Sequence, residues 1–172
     1  MAEAFQSRLA GGHHNSLGNT VEVVEAVLAD PSRLEELFLC YQSADETVRL
    51  RTSSALKRVN AAEPTWLVPY IDRLLSEVAA LDQASAQWTL AHLFLKLAPA
   101  MTAAQFNKAR AHLEANIAGH DDWIVLNTTM ETLVSWSHRY PDLKARIRPH
   151  LERLAADSRK SVAGRAKKYL KI

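Results

Sequence analysis

A phrase of apolar and small residues recurs along the chain at nearly constant distance, and it constrains the fold more than any other feature. It reads Val48, Thr52, Ala55, Leu56, Val59, then Ala86, Leu90, Leu93, Phe94, Leu97, then Val125, Thr129, Thr132, Leu133, Trp136. A shorter copy follows at Val162, Ala166, Tyr169 and Leu170. The copies start at 48, 86, 125 and 162, which is the length of one helix pair with its two turns. One such pair cannot bury its apolar face alone, so it must stack on its neighbours.

Glycine placement points the same way. No glycine occurs between Asn19 and Ala118, and neither Asn-Gly hairpin turns nor alternating apolar and polar runs are present. The reading is an all-α chain with helices predicted over 20–29, 32–42, 46–60, 65–81, 83–97, 103–118, 123–140, 142–157 and 161–170. Asn19 with Glu22 and Thr102 with Gln105 have the spacing of reciprocal helix caps. Pro31, Pro64 and Pro141 suit first-turn positions, and Asp45, Asp82 and Asp122 place a negative charge before the repeated phrases. Leu67, Ile71, Leu74, then Phe106, Arg110, Leu113, then Ile147, Leu151, Leu154 form the echoing stripes of the partner helices. Pro69 and Pro149 fall inside two of those helices and should bend them. Residues 1–18 read as a flexible N-terminal leader, and 19–172 as one domain.

The segment Asp45, Glu46, Thr47, Val48, Arg49 running into Ser54, Ala55 and Leu56, beside the proline at 69, resembles a HEAT repeat of the armadillo-type superfamily. The opening block, Ser16-Leu17-Gly18 with Val21 to Leu28 and Asp30-Pro31, resembles small bacterial HEAT-like proteins without assigned activity. The resemblance implies an α-α superhelix, a short solenoid of about four helical hairpins. It also implies inter-repeat contacts between Asp and Arg, for which only Asp45 and Arg49 match.

Composition and motifs narrow the function. A single cysteine, Cys40, excludes an internal disulfide, and no stretch approaches the ~20 apolar residues of a membrane span. With no charged segment followed by a long apolar run at the start, a cytoplasmic location is expected. No cofactor and no small-molecule ligand is implied. His13 and His14 lie in the leader, His120, Asp121 and Asp122 suit a cap and turn, and His112 and Glu114 are two residues apart and so on different helix faces. HEAT-type metal hydroxylases carry His-Glu dyads, and this chain has none. Cys40 follows Leu37, Phe38 and Leu39 and reads as a small core residue, and no nucleophile elbow or phosphate loop is present. The chain is therefore read as a non-catalytic scaffold.

Two binding readings remain. In the first, the helices carrying the phrase line the concave face, as the HEAT resemblance implies. Trp88 then shares a column with Leu50 and Asn127, and the column one turn on reads Ser54, His92, Glu131 and Lys168, joined by Lys57. This groove, with Lys57, Trp88, His92, Asn127, Glu131 and Lys168 as candidate contacts, suits a protein or peptide partner. In the second, the C-terminal block binds nucleic acid. Residues 138–172 hold eleven Lys and Arg against three Asp and Glu, although the whole chain carries only +2. Arg165, Lys167, Lys168 and Lys171 would then contact phosphates, a use known from HEAT-like DNA glycosylases. The bland reading of the block is a solvated end cap.

Overall fold

The repeated phrase forms the buried seam of the molecule. In the computed structural model, which describes residues 4–14 and 16–172, every phrase residue from Val48 to Ala166 is buried, and only Tyr169 and Leu170 are half-exposed. Among the described residues there is no strand. The helices are α1 Phe5–Leu9, α2 Thr20–Ala29, α3 Leu34–Leu39, α4 Glu46–Ala62, α5 Ile71–Arg73, α6 Ala84–Leu97, α7 Ala103–Gly119, α8 Trp123–Ser137, α9 Pro141–Ala155 and α10 Lys160–Tyr169. The phrase-bearing helices pack in sequence, α4 on α6, α6 on α8 and α8 on α10, with α2 on the outer side of α4. The alternate helix α7 packs on α8 and on α9, and α9 packs on α8 and on α10. Among the described residues no helix is long and apolar enough to cross a membrane.

Local chemistry sets the helix ends, with exceptions. Thr102 and Gln105 make the reciprocal cap, at 3.2 and 2.9 Å. Asp45 accepts from the Thr47 amide at 2.8 Å, and Asp122 from Ile124 and Val125 at 2.8 and 3.0 Å. Asn19 makes no cap; its side chain donates to the Arg8 carbonyl, drawn away by the docked N-terminal segment. Asp82 is also displaced, because the α6 cap position falls on Gln83, and Pro64 stands in a turn outside any helix. The predicted helix over 65–81 is broken. A 3-10 turn at Val68–Tyr70 contains Pro69, and a π turn at Leu74–Val78 follows α5. Proline removes one backbone donor and clashes with the preceding turn, which accounts for the tightened start. By contrast, α9 runs through Pro149.

The neighbouring pairs are tied by side chains about one repeat apart. Arg49 donates to Gln83 at 2.5 Å and to the Ser43 carbonyl at 2.6 Å, rather than to an aspartate, while Gln83 reaches back to the Glu46 carbonyl. Arg73 grips Glu35 at 2.9 Å, Gln105 holds Asp72 at 3.0 Å, and Arg110 holds Asp142 at 2.6 Å. Thr132 donates across the α6–α8 seam to the Ala91 carbonyl at 2.8 Å. The Thr132 bond satisfies a buried hydroxyl that the packed seam would otherwise leave without a partner, whereas the Arg73, Gln105 and Arg110 ties lie at the surface.

Residues 4–14 and 16–18 differ from the expected leader, whose other positions lie outside the described residues. Phe5 and Leu9 are fully buried in the common core, and Arg33 lies 3.9 Å over the Phe5 ring. Arg51, only 2% exposed, donates to the carbonyls of Leu9, Gly11, His13 and Ser16 at 2.6 to 3.1 Å. The loop bends at Gly11, Gly12 and Gly18, all with positive φ, which a side chain resists. A Cβ at Gly18 would sit 2.8 Å from the Arg51 guanidinium carbon, so the glycine is also needed for close approach.

A polar network joins α6 to α7. His112 Nε2 lies 2.7 Å from Gln87 Oε1, and Gln87 donates onward to the Leu81 and Ala79 carbonyls. Burial holds the His112 pKa below its ordinary 6.5. The unfolded chain thus takes up this proton more readily than the folded one, so stability is complete above pH ~6.5 and falls as pH drops. The urea midpoint should decline from pH 7 to pH 5.5, and His112→Gln should flatten that decline. An equally steep fall in the variant would remove His112 as the cause.

Candidate functional site

The six groove candidates form a band across α4, α6, α8 and α10. Lys57 and Trp88 line a depression of about 660 Å³ between α4 and the start of α6, with Glu46, Asp82 and Asp122 at its edge. Asn127, Glu131 and Lys168 line a second depression of about 630 Å³ between α8 and α10. His92, on α6, lines neither depression; its pKa is lowered first by burial and then by Lys57 and Lys96, with Glu131 opposing them. Asp122 edges the first depression and Trp123 the second, so the two adjoin at the start of α8. Helices of this kind expose residues four apart on one face, which is why columns of the repeat become columns of the band.

The groups within the band differ in character. Lys57 is half-buried, and its pKa is lowered first by burial and then by Arg58. Trp88 is half-exposed. The N-terminal segment supplies one wall of the first depression through His14, Ser16 and Leu17, and His14 lies 3.1 Å from the Thr47 hydroxyl. In the second depression Asn127 is 6% exposed, and its Oδ1 has no hydrogen-bond partner among the described residues. Trp123 is 50% exposed at the rim. Its position one helical turn before Asn127 was the signal in the sequence that placed it on this face.

The basic block is largely engaged within the molecule. Arg146 pairs with Glu114, Arg148 with Glu152, and Arg159 with Asp157. Arg153 donates to the Ile117 and Ala118 carbonyls at the end of α7, and Arg159 to the Asp121 carbonyl. Such contacts complement the negative end of a helix. Of the nucleic-acid candidates, Arg165 is held by Glu131 at 3.3 Å, while Lys167, Lys168 and Lys171 are exposed. Lys167 and Lys171 lie outside the second depression, which takes Arg165 and Lys168.

The described residues hold no cluster of three His, Cys, Asp or Glu side chains suited to a metal ion. Cys40 is buried, and desolvation followed by the charge of Glu36 pushes its pKa up to about 11, so the thiol is protonated at neutral pH. No family model, curated protein or solved structure matches the chain.

Proposed function

We propose that this chain is a short HEAT-like α-α superhelix that scaffolds a protein partner by binding an extended peptide segment along α4, α6, α8 and α10. The stepwise packing of the phrase-bearing helices supports the superhelical reading, because each contacts its neighbour in the sequence repeat. The observation that carries the binding reading is the pair of adjoining depressions on one band, each with an accessible tryptophan and polar groups. Large amphipathic side chains in a wet groove are the usual anchors of peptide recognition. An unbroken phosphate track is disfavoured, because most arginines of the basic block already have partners and Glu46, Asp82 and Asp122 edge the neighbouring depression.

Phage-displayed random peptides panned on the immobilised protein test this reading. Peptides enriched on the wild type should bind about ten-fold more weakly to folded Trp88→Ala and Lys57→Glu variants, a loss of ~1.4 kcal/mol. Failure to enrich any sequence, or equal affinity for the variants, would remove the groove.

A further inference from the structure

We infer that the two ends of the phrase-bearing layer bind each other between copies of this chain, the outer face of α2 in one copy seating on the outer face of α10 in the next. The layer runs α2, α4, α6, α8, α10, and within it α2 and α10 each pack on one neighbour where the interior members pack on two. An outermost helix of a stack ordinarily turns polar groups to the solvent. On α2 the outer stripe is instead partly apolar. Val21, Glu25 and Leu28 stand at i, i+4 and i+7 and share one face, flanked by Glu22 and Ala29. Val21 is 42% and Leu28 36% exposed, whereas Val23 and Val27 on the opposite side are fully buried. A single exposed apolar residue is ordinary, but two on one stripe of an end helix form a ridge that a second helix can cover.

The outer stripe of α10 is the complement of that ridge. Lys160, Gly164, Lys167 and Lys171 stand at i, i+4, i+7 and i+11 and are all exposed, with Val162, Ala163 and Ala166 buried behind them. Neither helix can neutralise itself, since α2 holds Glu22 and Glu25 with no Lys or Arg, and α10 holds Lys and Arg with no Asp or Glu. Arginines between the two ends, such as Arg110, Arg146 and Arg159, have carboxylate partners. Among the described residues Glu22, Glu25, Lys160, Lys167 and Lys171 have none, so the unpaired charge is sorted by sign to opposite ends of the layer.

Gly164 is an independent sign of close approach. It lies inside α10 without a positive φ, and a Cβ there would meet nothing within 4 Å. Neither the backbone nor the packing of this chain calls for glycine at that position, and glycine weakens a helix interior relative to alanine. The bare backbone leaves a notch between Lys160 and Lys167. The Val21 and Leu28 ridge of another copy enters it, while the lysine stems lie along the ridge and their ammonium groups reach Glu22 and Glu25. Like faces repel, because two α2 faces bring glutamates together and two α10 faces bring lysines together. Unlike faces make a heterologous contact, which adds copy to copy rather than closing at a dimer.

Sedimentation velocity of the full chain from micromolar to millimolar concentration tests this contact. The average mass should climb past that of a dimer and fall toward the monomer at high salt. Glu22→Lys with Glu25→Lys, and separately Lys167→Glu with Lys171→Glu, should each raise the concentration needed for association about ten-fold. Mixing the two variants should restore association, because the reversed α2 of one then meets the reversed α10 of the other. Gly164→Leu should weaken association about ten-fold with every charge kept, and circular dichroism should be unchanged in all variants. A monomer across the whole range, a mixture that fails to recover, or association indifferent to Gly164→Leu would overturn the contact. A mass that stops at the dimer and answers to only one of the reversals would overturn it in favour of two like faces. Trp88 lies on neither end face, so Trp88→Ala should leave the mass unchanged; loss of association there would place the contact in the band instead and overturn it.

Discussion

Replacing Arg51 with alanine is expected to free the segment that holds Phe5, Leu9 and Gly11 from the body and to lower stability by about 3 kcal/mol. Hydrogen bonds to a charged group contribute ~1.5 to 3 kcal/mol each, and they are not additive when they share one guanidinium. Arg51 makes four to main-chain carbonyls, and no carboxylate pairs with it among the described residues. Its charge is balanced by carbonyl dipoles, so deleting it takes the donor from the buried Leu9 carbonyl and loosens the loop held through the carbonyls of Gly11, His13 and Ser16. Arg51→Lys should recover only part of the loss, because an ammonium cannot reproduce the planar fork. Gly18→Ala should act similarly from the other side, since its Cβ would press on the pinned guanidinium at a backbone φ of 51°. Urea unfolding gives the stability change, and chymotrypsin cleavage in the segment from Phe5 to Leu17 reports release. Unchanged cleavage in Arg51→Ala would mean that Phe5 and Leu9 hold the segment alone. Release also removes His14, Ser16 and Leu17 from the wall of the first depression, so peptide binding should weaken at the Trp88 end.

The same residue shows where the sequence is legible and where it is not. The repeated phrase is readable because helical periodicity is a local property, and each of its members up to Ala166 is buried. Arg51 lies between phrase members Val48 and Thr52, and a lone arginine on a helix ordinarily faces solvent. Its partners lie 35 to 42 residues earlier, beyond the reach of any periodicity argument. The three positive-φ glycines were the trace it left, since Gly11, Gly12 and Gly18 punctuate a segment that would otherwise be a tail. The basic block misleads for a related reason. Its arginines look like a charged surface in sequence, yet Arg153 and Arg159 reach carbonyls 36 and 38 residues away, roughly one repeat back. Asn127 and Trp123 were harder still. A column position places them on a face, but only packing decides that the asparagine is enclosed and the tryptophan exposed.

Truncating Phe94 to alanine should cost about 3 to 5 kcal/mol, the range for large aromatic residues in close-packed interiors. Phe94 is fully buried on α6, which packs on α4 to one side and on α8 to the other. The magnitude matters less than its distribution. In a stack where each pair touches only its neighbours, a defect in the middle weakens the coupling between the two ends, and the ends then unfold separately. Amide exchange followed through urea should show protection in Glu46–Ala62 and in Trp123–Ser137 lost at different denaturant concentrations in Phe94→Ala. A closed bundle shares one core among all its helices, and there both segments would lose protection together, however large the destabilisation. Coincident loss would therefore overturn the superhelix, and with it the idea that α4, α6, α8 and α10 present one continuous wall to a peptide. Separate loss would tie the recurring phrase directly to a stack held by nearest-neighbour contacts, because only then does the period of the sequence set the unit of unfolding.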